Sequence, residues 1–199
     1  MLKKLKLAVA KFIAKNGDGL AMAWKNEQLS RLSKLKNAKV SADFVFGDGL
    51  SVVVEGDVDE LVIGERVYLR KFCNLLLFPG SKLVIEHDVF MNNYCSINCL
   101  GSVTIGANTL FGEGVKIYDH NHKFSYLPDG SLEVNRTGFT VGRVSIGRNC
   151  WIGSNVTILQ NVEIGDNVII GANALIHKSV PANTIVKHKE ELIFDKPAQ

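Results

Sequence analysis

The sequence predicts a mainly β protein built as a three-sided parallel solenoid, with a short helical N-terminal region and one extruded loop. Three observations predict it. From Ile146, every sixth residue is isoleucine: Ile152, Ile158, Ile164, Ile170 and Ile176. The residue after these is often glycine, as at Gly147, Gly153, Gly165 and Gly171, and four residues beyond each isoleucine stands Cys150, Val156, Val162, Val168, Ala174 or Val180. The same register recurs upstream at Ile105, Phe111 and Ile117, at Ile85, Met91 and Ile97, and more weakly at Ile63, Leu69 and Leu75.

A period of six matches neither an amphipathic helix nor simple strand alternation. It matches a coil with three flat faces, each hexapeptide making one short strand and one corner. The isoleucines then point inward and stack from coil to coil. The small residue fills the corner, and glycine or asparagine in "GRN", "GDN" and "GAN" tolerates the turn. Cys73, Cys95 and Cys150 take the small slot, so they read as packing thiols rather than metal or redox groups. Cys99 lies outside that slot. No CxxC pair occurs, which argues against a zinc ribbon and for free thiols in a cytoplasmic protein.

In order along the chain, residues 1–40 read as an N-terminal helical segment. Leu2, Leu5, Val9, Phe12 and Ile13 fall at helical spacing among lysines, the pattern of an amphipathic helix rather than of a signal peptide. Such a helix packs on the body of the protein or makes peripheral contact with a membrane surface. Residues 41–186 form the solenoid, beginning irregularly over 41–59, and 187–199 a tail. No apolar run approaches the ~20 residues that span a bilayer. A net charge of +3 without a basic stripe argues against nucleic acid as a partner.

The template resembles the hexapeptide-repeat acyltransferases, whose fold is a left-handed parallel β-helix. The resemblance covers roughly residues 60–186 and is most specific from Val103 to Pro181. It implies acetyl-CoA as co-substrate, no metal, and a homotrimer with sites between subunits.

Between Ile117 and Ile146 the six-step fails. The insertion 118–143 contains "DHNHKF" and a Pro-Asp-Gly turn, and long loops in compact domains are usually functional. In the galactoside and maltose acetyltransferase branch, the catalytic histidine stands five residues after an inward aliphatic where such a loop begins. Counting from Ile117 gives His122 as the favoured base, with His120 as runner-up. An imidazole suits the task because its unperturbed pKa lies near 6.5, so it can take a hydroxyl proton and return it to a leaving thiolate. Asp119 either orients an imidazole or caps the turn. That branch also carries an active-site asparagine one coil earlier, matched without a gap by Asn92 in "FMNNY". It places an aromatic beside the cleft, matched by Trp151.

For coenzyme A the resemblance points to Ser154, Ala172 and Lys178. The basic ending usual in the family is replaced here by "VKHKEELIF", where Lys187 and Lys189 can meet phosphate but Glu190 and Glu191 cannot. The reading is therefore an O-acetyltransferase acting on a hydroxyl of a sugar or surface polysaccharide. N-acylation of an amino sugar is the alternative. Serine O-acetylation fits less well, because the helical segment is short for that subgroup. A non-catalytic solenoid leaves the loop unexplained. A γ-type carbonic anhydrase would draw on His87, His120, His122 and His177, but the chain has HxH where that family has HxxxxH.

Overall fold

A computed structural model describes residues 23–189. The amphipathic pattern at residues 2–13, and Glu190 and Glu191, lie outside the described residues. The chain forms the expected left-handed parallel β-helix.

Its first face stacks Ala38–Val40, Glu60–Ile63, Lys82–Ile85, Ser102–Ile105, Arg143–Ile146 and Val162–Ile164. Its second stacks Val45–Phe46, Tyr68–Leu69, Phe90–Met91, Leu110–Phe111, Trp151–Ile152, Ile169–Ile170 and Ile185–Val186. Its third stacks Ser51–Val54, Asn74–Leu77, Ser96–Cys99, Lys116–Tyr118, Thr157–Ile158 and Leu175–Ile176. All these pairings are parallel, and like residues align: Ile105 with Ile146, Ile146 with Ile164, Ile158 with Ile176. Every inward residue of the six-step is buried, as are the small-slot cysteines. Each coil thus buries its apolar side only against its neighbours, which is how a solenoid acquires a core.

The solenoid starts earlier than expected. Ala38–Val40 already pairs with Leu61–Ile63, so strand structure begins inside the segment read as helical. Three residues carry too little alternation to register in a six-residue pattern. Before them, residues 23–33 are helical. Leu32 is fully buried, and Trp24 meets Phe46 edge-on at 6.1 Å. This helix covers the open end of the first coil, the apolar surface that a terminal repeat would otherwise expose.

Glycine and asparagine divide the corner work differently from the expectation. Asn149, Asn155, Asn167 and Asn173 adopt the positive φ, at 55–61°. Gly153 does not; a β-carbon there would lie 2.5 Å from the Ala172 backbone nitrogen. Glycine serves close approach of successive coils, and asparagine serves the left-handed turn. The asparagine amides also join coils, Asn149 to Asn167 at 3.2 Å and Asn167 to Asn183 at 3.0 Å.

Four corner residues that are neither glycine nor asparagine also adopt the positive φ. Arg66 and Asp88 have positive φ and are held by a two-pronged ion pair at 2.6 and 2.7 Å. Phe72 and Tyr94 have φ of 58° and 60° and stack on each other at 5.3 Å with planes 7° apart. Holding a bulky residue in this region costs about 1–3 kcal/mol. One stacked pair returns about 0.5–1.5 kcal/mol, less than two such corners cost.

Cys99 has a simple place. The third-face strand Ser96–Cys99 runs two residues past Ile97, and Cys99 is buried beside Leu77 and against Asp119. Burial, then the Asp119 charge, pushes its thiol up.

Candidate active site

The insertion leaves the solenoid after Tyr118 and returns at Arg143, at the corner between the third and first faces. It is not an irregular loop. His120–Tyr126 and Leu132–Val141 form an antiparallel ribbon around Pro128, Asp129 and Gly130. The stacking is uninterrupted beneath it, since Ser102–Ile105 pairs directly with Arg143–Ile146. At the ribbon's root the Gly142 amide donates to the Asp119 carbonyl at 2.7 Å.

Asp119 is completely buried. Its carboxylate accepts from the backbone amides of Leu100, at 2.9 and 3.1 Å, and Gly101, at 2.8 Å. Its Oδ1 also stands 2.9 Å from His120 Nδ1. A carboxylate oxygen is the acceptor in such a pair, so His120 Nδ1 is the donor, and Nε2 makes no hydrogen bond among the described residues. The His120 side chain is 13% exposed. It packs edge-on against Phe139 at 5.2 Å and Phe78 at 6.1 Å. The Asp119 carboxylate thus meets both partners its position in sequence left open, the His120 imidazole and the backbone amides of a bend, here that of the neighbouring coil.

His122 is exposed. Its Nδ1 donates to the Asn135 carbonyl at 3.1 Å, and its ring lies against Phe139 at 4.6 Å. Its Nε2 is equally free. Both imidazoles therefore share Phe139 and a donating Nδ1, but only His120 has a carboxylate behind it. His122 lines a cavity of about 510 Å³ with Phe124, Tyr126, Leu132 and Val134. A second cavity, of about 630 Å³, is lined by Phe78, Leu100, Arg136 and Phe139.

The predicted residues fall into two groups within the chain. His120 and His122 lie at the corner between the third and first faces. Lys178 lies at the same corner two coils further on, since the pairings of Ile117 with Ile158 and Ile158 with Ile176 align Asp119, Gln160 and Lys178. Asn92, Ser154 and Ala172 lie at the corner between the second and third faces. The Asn92 Oδ1 accepts from Arg70 at 3.3 Å, and the Ser154 Oγ accepts from the Glu113 amide at 3.2 Å. Trp151 is on the second face between Leu110 and Ile169, 55% exposed. One chain does not bring the two groups together.

Phe78, Phe139 and Arg136 were not signalled by the sequence. Phe139 meets the imidazoles only through ribbon pairing (His122 opposes it directly), and no repeat spacing reports that. Among the described residues, no three His, Cys, Asp or Glu side chains gather where they could hold a metal ion.

The family described as bacterial transferase hexapeptide (six repeats) matches residues 143–178. A protein of Escherichia coli (strain K12), provisionally named lipopolysaccharide biosynthesis O-acetyl transferase WbbJ, is 36% identical over 55% of this chain and 58% of its own length. Nodulation protein L of Rhizobium leguminosarum bv. viciae is 40% identical over 37% of this chain and 36% of its own. The chain thus spans less than two thirds of either relative. Among solved structures, a hexapeptide-repeat acetyltransferase of Vibrio cholerae complexed with acetyl coenzyme A aligns with a TM-score of 0.51 at 23% identity, over 62% of this chain and 63% of that one. The N-acyltransferase AntD of Bacillus cereus, in complex with dTDP and 3-hydroxybutyryl-CoA, aligns with a TM-score of 0.51 at 18% identity, over 80% and 81%. These two likenesses are of fold.

Proposed function

We propose that this chain, whose residues 143–178 match the bacterial transferase hexapeptide family, is a hexapeptide-repeat acyltransferase, an acetyl-CoA-dependent O-acetyltransferase whose acceptor is a hydroxyl of a sugar or surface polysaccharide. The observation that carries the reading is the Asp119–His120 pair at the root of the ribbon. His120 Nε2 takes the acceptor's proton as its oxygen attacks the thioester carbonyl. The tetrahedral intermediate then expels the thiolate, which recovers that proton from the imidazolium. Buried Asp119 stabilises the imidazolium while it exists and holds the ring to one tautomer. The pair replaces the sequence preference for His122, which on this reading borders the bound substrates.

Acetyl-CoA lies along the row from His120 towards Lys178, an ammonium that can meet phosphate. Ser154, Ala172, Asn92 and Trp151 serve the same cleft from a neighbouring subunit of a homotrimer. Supporting that assembly, the outward row of the second face is apolar throughout: Val45, Tyr68, Phe90, Leu110, Trp151, Ile169 and Ile185. Use of acetyl-CoA together with buried free thiols fits a cytoplasmic setting. The lipopolysaccharide wording of the Escherichia coli relative's name supports a glycan acceptor.

The test is thiol release from acetyl-CoA with a panel of sugar alcohols, glycans and amino sugars. Release dependent on a hydroxyl acceptor, and abolished in His120→Ala, supports the reading. Release with amines alone replaces it by N-acylation, and none with any acceptor sinks it.

A further inference from the structure

Phe72 and Tyr94 occupy corner positions where the same row elsewhere holds Gly49, Gly114, Asn155 and Asn173, all at positive φ. Both aromatics are exposed, at 51% and 55%, and their mutual stacking does not offset the strain of holding them there. Strain of this kind persists where it serves a site. Phe72 covers Gly49, whose β-carbon would lie 2.3 Å from the ring. The stack is therefore closed on that side. On the other side comes Gly114, which presents no side chain. A β-carbon on Gly114 would lie 2.6 Å from Asn155 Oδ1. Asn155 donates its amide to Asn173, and its Oδ1 accepts no hydrogen bond among the described residues. Lys116 Nζ reaches the Gly114 carbonyl at 3.1 Å.

We propose that this corner is a saccharide subsite, in which a pyranose ring takes the third place of the stack, over Gly114 and against Tyr94. A pyranose has a flat face rich in C–H groups and a rim of hydroxyls. Tyr94 matches the face; Asn155 Oδ1 accepts from the rim, and the Lys116 ammonium donates to it. A few placed polar groups beside an aromatic wall are what orient a small ligand in a site. The corner is a whole face away from the imidazoles of its own chain. In the proposed homotrimer it adjoins the cleft that Asn92 and Ser154 share with a neighbouring subunit's imidazoles, so the ring bound there belongs to the glycan acceptor. This rests on the glycan reading above, but it concerns binding and is testable without acetyl transfer.

The test is saturation-transfer NMR on the full chain without acetyl-CoA, using maltotetraose, cellotetraose, laminaritetraose and chitotetraose, with adenosine as a control flat ligand. At least one tetrasaccharide receives saturation from the protein. The signal falls about 5-fold in Tyr94→Asn, as loss of one aromatic contact implies, and equally in Gly114→Asn, which fills the slot. Asparagine suits the backbone at both positions, so the melting temperature of Tyr94→Asn does not fall; in Gly114→Asn the new β-carbon displaces the Asn155 side chain, which would lie 2.6 Å from it. Asn155→Gly, which tolerates that corner's positive φ and leaves the Tyr94 and Gly114 turns untouched, weakens the same signal by removing the acceptor. The proposal is overturned if no tetrasaccharide receives saturation, if the variants match the unsubstituted chain, or if only adenosine gives the signal. Tetrasaccharide binding without any thiol release would sink the transferase reading and leave the subsite standing.

Discussion

Asp119 and His120, adjacent in sequence, are joined through Oδ1 and Nδ1 at 2.9 Å, with the carboxylate wholly buried and two backbone amides aimed at it. In the proposed mechanism, an imidazole held in this way presents one fixed nitrogen to the acceptor. His120→Ala is expected to lower kcat by at least about 10²-fold, within the range for a positioned general base. His122→Ala is expected to act mainly on KM. The measurement is kcat for both variants with acetyl-CoA saturating, and an inactive His122→Ala beside an active His120→Ala would transfer the role.

Asp119→Ala combines two losses. Beyond the effect on His120, it strands the Leu100 and Gly101 amides, and a buried unpaired donor costs about 1–3 kcal/mol. Asp119→Asn keeps one oxygen, which in the Oδ2 position accepts from both amides, but not the charge. Denaturant unfolding should show Ala destabilised and Asn nearly unchanged, while both lose turnover. Equal stability of all three proteins would refute the account of the buried carboxylate.

Ile164 is 1% exposed in the stacked row. Ile164→Ala should destabilise by about 2–5 kcal/mol, read from the unfolding midpoint. A change within about 0.5 kcal/mol, the usual span of a surface substitution, would contradict the packing.

Trp151→Ala should fold with an unaltered circular dichroism spectrum. Its place in the apolar row of the second face predicts a loss of substrate affinity, of subunit association, or of both together. Light scattering and steady-state kinetics separate these, and a variant unchanged in each would leave Trp151 as plain surface.

Burial raises the thiols of Cys99 and Cys150. Thiolate is the reactive form, so neither should be alkylated by iodoacetamide in the native protein, and both should react after denaturation. Mass mapping of native protein labelled at either position would contradict their placement.

The core was legible because the inward contact repeats every six residues, so one coil reports the rest. The small-slot cysteines and the exposed Trp151 were legible on the same ground. The start at Ala38 was not, since a three-residue strand is too short to carry a period. Nor was the ribbon: "FSYLPDGSLEV" holds a turn between two alternating segments, but its pairing is antiparallel and local, outside the six-residue frame. The ranking of the two histidines rested on the resemblance and its count from Ile117, which carries no information on the contact between Asp119 and its immediate neighbour. Phe139 joins the imidazoles by cross-strand opposition, which no count from Ile117 can reach.

The coils above and below the ribbon are hydrogen-bonded to each other as though it were absent, and the Gly142-to-Asp119 bond ties off its two ends at one point. The ribbon is in this sense a removable cassette. Exchanging everything between Tyr126 and Leu132, or lengthening it, leaves each coil its neighbours and each buried isoleucine its stack. Variation that retunes which molecules are acted on is therefore decoupled from variation that would unfold the scaffold, and a lineage carrying this solenoid can diversify at that one corner without first acquiring spare stability.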